Sequence, residues 1–125
     1  MKVALFNHQK GGLNPHDKYA ASELERDLTR KIQGLDIQLQ HFPEEEIFTE
    51  ALDQYDRIVW HPSMEIPLNT DKYARIVKET IGSISKQILI VCGGVYKRSE
   101  MEKLVGEPEN IQYGFSDQII EFLTA

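Results

Sequence analysis

The apolar residues of the chain fall into short runs that alternate with longer segments of helical periodicity. The most continuous run lies in the segment 87–94 (QILIVCGG), where five apolar residues in a row precede two glycines. A strand that is covered on both faces of a parallel sheet has such a run, because neither face meets water. We therefore predict a buried strand that ends at Gly93 and Gly94, where the turn lets backbone approach a ligand closely.

Further strands are predicted before and after this run. They lie at residues 2–7, 36–42, 58–60 and 111–113. In one of them Ile37, Leu39 and His41 alternate with glutamines, a pattern typical of a half-exposed strand near the edge of a sheet. The chain therefore has the strand content of a small sheet.

Helices are predicted between the strands, where apolar residues recur three and four positions apart. The first opens at Asn14, a good N-cap, and at Pro15, which suits the first helical position; it ends at Gly34. A later helix starts with a capping box at Ser99 and stops at Gly106. The other helices are predicted after Pro43, from Asn69 or Thr70 to Gly82, and after residues 116–117.

Five strand–helix units in sequence predict an α/β fold. Because crossovers between parallel strands are right-handed, the helices cover both faces of the sheet. We predict a three-layer α/β/α domain of flavodoxin-like (Rossmann-like) type, with a five-stranded parallel sheet in the order 2-1-3-4-5. Residues 1–125 are predicted to form this single domain.

Composition excludes several classes of protein. The chain has 125 residues, a net charge of −6 and one cysteine, Cys92. No apolar run approaches the about 20 residues that cross a bilayer, so we expect no membrane segment. The acidic balance argues against broad nucleic-acid binding, although not against a local anion site. One cysteine allows no intrachain disulfide, and we expect a cytoplasmic protein.

Candidate chemistry collects in three loops that follow predicted strands. Ligands of such sheets bind outside the carboxyl ends of the strands, where the strand order reverses. The loops 8–14, 61–68 and 93–99 would line that edge. Histidine, lysine and glycine at strand ends suit an anion, and the first loop also leads into a helix N-terminus, which attracts phosphate.

The residues of these loops resemble those of the flavodoxin-like family of NAD(P)H-dependent FMN reductases, along nearly the whole chain. Residues 2–6 and 11–14 look like the family's first strand and phosphate loop, 55–63 like the segment at the isoalloxazine ring, and 92–96 like the glycine-rich end of the fourth strand. The resemblance implies FMN as cofactor and oxidoreductase activity. The cofactor-binding residues predicted from the loops and the resemblance are His8, Lys10, Gly11, Gly12, Asn14, Pro62, Ser63, Met64, Gly93, Gly94 and Tyr96.

Two other functions fit the same loops. The first is a Rossmann-like sensor or hydrolase of a signalling nucleotide without flavin, in which Lys10 and residues 97–98 meet the phosphates. It stays open because residues 8–14 contain no Ser or Thr, in which the family's phosphate loop is rich. The second is an amidotransferase-like enzyme with Cys92 as its thiol nucleophile and His8 or His61 as the base. The catalytic candidates are therefore His8, His61 and Cys92.

Two predictions concern metals and partners. The spacing of the histidines does not predict a metal site. The apolar residues Met64, Ile66 and Leu68 form either a homodimer contact or a lid over the site, and the sequence does not separate these two interpretations.

Overall fold

The computed structural model describes residues 1–7, 15–42, 52–62, 86–92 and 95–125. These residues contain a sheet of five parallel strands in the order β2-β1-β3-β4-β5. The strands are β1 (Lys2–Asn7), β2 (Gln38–Phe42), β3 (Arg57–His61), β4 (Gln87–Val91) and β5 (Ile111–Gly114). The predicted α/β fold and the predicted strand order are confirmed.

Three α-helices accompany the strands in this part of the chain. They are α1 (Pro15–Lys31), α2 (Val95–Val105) and α3 (Ile119–Thr124). Short 3-10 helices precede β3 and α3, at Leu52–Gln54 and Ser116–Gln118. None of the helices within the described ranges is long and apolar enough to span a bilayer.

Alternation along the strands divides the core into two clusters, one on each face of the sheet. Ala4, Trp60 and Ile90 lie on the face that packs against Met101 of α2. Their neighbours Val3, Leu5, Val59 and Leu89 lie on the opposite face, against α1 and α3. Successive side chains of a strand point to opposite faces, so each strand supplies both clusters. The helices therefore form a layer on each side of the sheet.

The edge strand β2 has the exposure that its sequence predicts. Gln38 and Gln40 are exposed, whereas Leu39 and His41 are partly buried. Among the described strands β2 pairs with β1 alone, with Leu39 beside Val3 and His41 beside Leu5. Alternating apolar and polar residues thus identify the strand that is covered on one face.

The boundaries of α1 and α2 agree with the prediction except at the start of α2. Pro15 is the first residue of α1, as predicted, and Gly34 and Gly106 follow α1 and α2 with φ of 83° and 77°, the left-handed conformation that suits glycine after a helix. The predicted start of α2 at Ser99 is wrong, because the helix already begins at Val95. Ser99 therefore lies inside α2, where a Ser-x-x-Glu sequence is not a cap.

Candidate functional site

The strand order reverses between β1 and β3, which lie side by side. From β1 the chain passes to β2 on one side, and then to β3, β4 and β5 on the other. The last residues of the two strands, Asn7 and His61, are direct neighbours in the register. Crevices at such a reversal are where open α/β sheets bind ligands. The described structure thus places a polar pair at this position.

Asn7 and His61 are the buried polar residues of this edge within the described ranges. Asn7 is 1% exposed and His61 is 7% exposed. The His61 Nδ1 and the Asn7 Oδ1 are 2.9 Å apart, which is hydrogen-bonding distance. Buried polar groups are costly unless they are paired, so this contact accounts for their tolerance at the end of an apolar sheet.

Helix α1 supplies the other contacts of Asn7. The Asn7 Nδ2 donates to the carbonyl oxygen of Ala21 at 3.1 Å and to the Glu25 Oε1 at 3.2 Å. Ala21 and Glu25 lie one helical turn apart, so they occupy the same face of α1. Ala21 is fully buried, and its small side chain lets the helix backbone approach the strand.

Glu25 extends this set of contacts toward the surface. Its Oε1 lies 3.6 Å from the Nδ1 of His41 on β2. Both side chains line an open groove between α1 and β2. The side chains of His41 and Glu25 are 37% and 19% exposed, but the His41 Nδ1 is itself buried and has no hydrogen-bond partner among the described residues. His41 therefore lies near a carboxylate without a hydrogen bond to it.

Cys92 lies on the face of the sheet opposite to Asn7 and His61. Its side chain is buried in the cluster that contains Trp60, Ile90 and Met101. Asn7 contacts α1, which covers the opposite face, and His61 contacts Asn7. The register pairs Trp60 with Ile90, so His61 lies beside Val91, one residue before Cys92. Successive side chains of a strand point to opposite faces, so Cys92 points away from the face of His61. A thiol–imidazole pair needs the two groups within hydrogen-bonding reach, and opposite faces do not provide this between Cys92 and His61.

Replacement of Cys92 by alanine is expected to leave any ligand affinity or turnover unchanged. The thiol packs in an apolar cluster, so its removal should lower the free energy of unfolding by only about 1–2 kcal/mol. Urea denaturation and a ligand titration of the same preparation measure the two effects. Loss of turnover in a folded Cys92→Ala protein would restore the thiol mechanism.

The polar residues at the end of β5 are engaged with α2. The Tyr113 hydroxyl donates to the Gly106 carbonyl oxygen at 2.6 Å. Burial, with the nearby Glu102 carboxylate, raises the pKa of the Tyr113 phenol above its ordinary value, so it keeps its proton at neutral pH. Arg98 stacks on the Tyr113 ring and forms an ion pair with Glu102 at 2.7 Å. These residues hold α2 against β5.

Most of the predicted cofactor-binding residues lie outside the described part of the chain. These are His8, Lys10, Gly11, Gly12, Asn14, Ser63, Met64, Gly93 and Gly94. The backbone of Tyr96 belongs to α2. Pro62 is described and buried directly after β3. The predicted dimer or lid residues Met64, Ile66 and Leu68 also lie outside the described residues.

Asn7 is the site residue to which sequence reasoning assigns no role. The sequence predicts it only as the last position of the first strand. A polar residue that ends an otherwise apolar strand is the available signal, because the carboxyl end of a strand is where such sheets bind ligands. Among the described residues, no group of three His, Cys, Asp or Glu side chains has the arrangement of a metal site.

No protein-family model matches the chain, and no significant match was found among curated proteins or solved structures. The function is therefore inferred from the topology of the sheet and from the side chains at its carboxyl edge.

Proposed function

We propose that the chain binds a small phosphorylated nucleotide at the carboxyl edge of its sheet, with FMN as the first candidate. The observation that carries the proposal is the buried Asn7–His61 pair at the reversal of the strand order. The ends of strands at such a reversal border the crevice that open α/β sheets use for nucleotides. Two polar side chains occupy a place where an apolar pair would close the core equally well.

Helix α1 supports the phosphate end of the proposal. It has 17 residues and starts at Pro15, directly after the segment 8–14 that follows β1. The first backbone N–H groups of a helix have no intrahelical acceptor, and the helix dipole favours an anion there. Lys10, Gly11 and Gly12 precede this start in the sequence.

Spectroscopy distinguishes whether the protein is a flavin reductase or binds no flavin. An absorption spectrum of the freshly purified protein, followed by FMN titration, tests for flavin. A flavin band with stoichiometric binding supports the reductase function. A colourless protein without affinity for FMN rejects it, and AMP, ADP and cyclic AMP are then tested by thermal shift. A ligand at a hundredfold excess over its Kd stabilises the folded state by about 2.7 kcal/mol, which raises the Tm measurably.

The second candidate function is a sensor or hydrolase of a signalling nucleotide. It is favoured by His61, since a buried histidine at the site supplies a proton-transferring group that flavin binding does not need. The absence of Ser and Thr from residues 8–14 also favours it over the reductase. Hydrolysis of a nucleotide from the panel, followed by phosphate release, distinguishes a hydrolase from a sensor.

We also propose a cytoplasmic location and a homodimer. A cytoplasmic location is in keeping with the single cysteine, and a homodimer through Met64, Ile66 and Leu68 would cover the apolar side chains of the segment that follows β3 in the sequence. Light scattering on the purified protein gives the molar mass in solution. A mass of one chain rejects the homodimer and leaves these residues as a lid.

Replacement of Lys10 by alanine is expected to weaken binding of a phosphorylated ligand about tenfold, the loss of one charge-assisted hydrogen bond. The titration that reports binding of FMN or another nucleotide measures it. Lys103→Ala is the matched control, since it removes the same charge from an exposed position near the end of α2. Equal affinities of the two variants would remove Lys10 from the site.

A further inference from the structure

The orientation of the Asn7 amide is fixed by its neighbours on α1. A backbone carbonyl oxygen only accepts hydrogen bonds, so the amide atom 3.1 Å from the Ala21 oxygen must be the nitrogen. The same nitrogen lies 3.2 Å from the Glu25 Oε1, which accepts when ionised. The amide oxygen therefore faces the imidazole of His61.

The orientation of the amide determines which nitrogen of His61 carries a hydrogen. The Asn7 Oδ1 only accepts, and it lies 2.9 Å from the His61 Nδ1. The Nδ1 must therefore donate. A neutral imidazole has one N–H and one nitrogen with a lone pair, so the lone pair is on Nε2. Protonation of His61 adds a hydrogen at Nε2 and leaves the bond to Asn7 in place.

We propose that Asn7 is a positioning residue that holds His61 as the Nδ1–H tautomer, which leaves the lone pair of the neutral imidazole on Nε2. This inference rests on the proposed function where it adds that a nucleotide at the site would meet Nε2. Neutral His61 accepts a hydrogen bond from a hydroxyl, an N–H or a water. Protonated His61 donates one to a phosphate oxygen.

The neighbouring charges agree with this arrangement. Glu25 lies behind the Asn7 amide, on the side away from His61, and His41 of β2 lies beyond Glu25. A carboxylate that accepts from the amide nitrogen increases the electron density on the amide oxygen, which strengthens the bond from the Nδ1–H. Glu25 thus acts on His61 through the Asn7 amide.

The tautomer is measured by long-range proton–nitrogen correlation on the ¹⁵N-labelled protein without ligand, above the pH at which His61 loses its charge. The chain has four histidines, and the signals that disappear in His61→Gln assign His61. We expect a pyrrole-type shift for Nδ1 and a pyridine-type shift for Nε2. The reverse assignment in the wild type overturns the inference.

Variants of Asn7 test whether it sets the tautomer. In Asn7→Ala both nitrogen shifts should move toward intermediate values, because both tautomers become populated. Unchanged shifts in a folded Asn7→Ala protein contradict a positioning role.

Ligand experiments keep this inference separate from the proposed function. With FMN, AMP, ADP or cyclic AMP bound, the Nε2 signal should move, and His61→Gln should lower the affinity about tenfold. If none of these four binds, the proposed function fails, the Nε2 assignment toward a nucleotide fails with it, and the tautomer result stands alone. If one binds but neither Nε2 nor the affinity of His61→Gln changes, the role of His61 is overturned and the proposed function survives.

Discussion

Replacement of Asn7 by alanine is expected to lower the free energy of unfolding by about 2–4 kcal/mol. The substitution removes the acceptor of the His61 Nδ1–H and a donor to Glu25. The imidazole is 7% exposed, so water does not easily replace the lost partner. A buried donor that is left unsatisfied costs more than the average hydrogen bond contributes. Urea denaturation followed by circular dichroism measures the difference.

Asn110→Ala is the matched control for this prediction. It removes the same amide from the opposite, amino-terminal edge of the sheet, where the Asn110 Nδ2 donates to the Lys86 carbonyl oxygen at 2.8 Å in a half-buried position. We expect a loss of about 1 kcal/mol for this variant, because solvent replaces part of the contact. If Asn7→Ala costs no more than Asn110→Ala, the contacts of Asn7 and His61 do not stabilise the carboxyl edge.

Replacement of Trp60 by alanine is expected to lower the free energy of unfolding by about 3–5 kcal/mol. Trp60 is fully buried on β3, the middle strand of the sheet, and lies between Phe6 of β1 and Ile90 of β4 in the register. Removal of the indole leaves a cavity that strand neighbours fill only in part, because backbone pairing holds them in place. Denaturation is followed by circular dichroism, since Trp60 is the sole tryptophan.

Two further variants calibrate this result. Trp60→Phe keeps an aromatic ring in the core and should cost clearly less than Trp60→Ala. Phe115→Ala removes an aromatic ring that is 56% exposed, so its effect should stay within about 0.5 kcal/mol. A loss below about 1 kcal/mol for Trp60→Ala would contradict its place in a tightly packed core.

The strands were predictable from the sequence because burial controls their composition. Residues 88–91 are apolar without interruption, and the structure covers them on both faces. The alternation around Leu39 marks a strand covered on one face, and β2 is an edge strand. The crossover rule then restricts the order to a few topologies, of which the predicted one is observed.

The contacts at the site were not predictable, because they join residues that are distant in the chain. Asn7 and His61 are 54 positions apart and meet only because β1 and β3 are neighbours in register. The orientation of the Asn7 amide depends in addition on Glu25 of α1.

The position of Cys92 relative to His61 was also not predictable from the sequence. Its position after β4 suggested a pair with His61, whereas the register between β3 and β4 places the two side chains on opposite faces. A sequence shows that two residues end strands, but only the register shows whether they share a face.

The start of α2 was mispredicted for a different reason. Ser99 and Glu102 have the spacing of a capping box, but the same spacing occurs within helices. In the structure Arg98 pairs with Glu102 and Lys103 with Glu100, which are contacts of a helix interior. Local patterns of four residues do not distinguish the two positions.

We propose that a phosphorylated nucleotide binds at the carboxyl edge, beside Asn7 and His61. Chemical-shift mapping of the ¹⁵N-labelled protein, titrated with FMN and with AMP, ADP and cyclic AMP, tests it most directly. We predict that the largest amide shifts occur at Asn7, His61 and Cys92, at the ends of three adjacent strands. Shifts centred instead on the pocket beside β1 and β2 that Lys2 and Gln38 line, or no shifts with any of these nucleotides, would contradict the account.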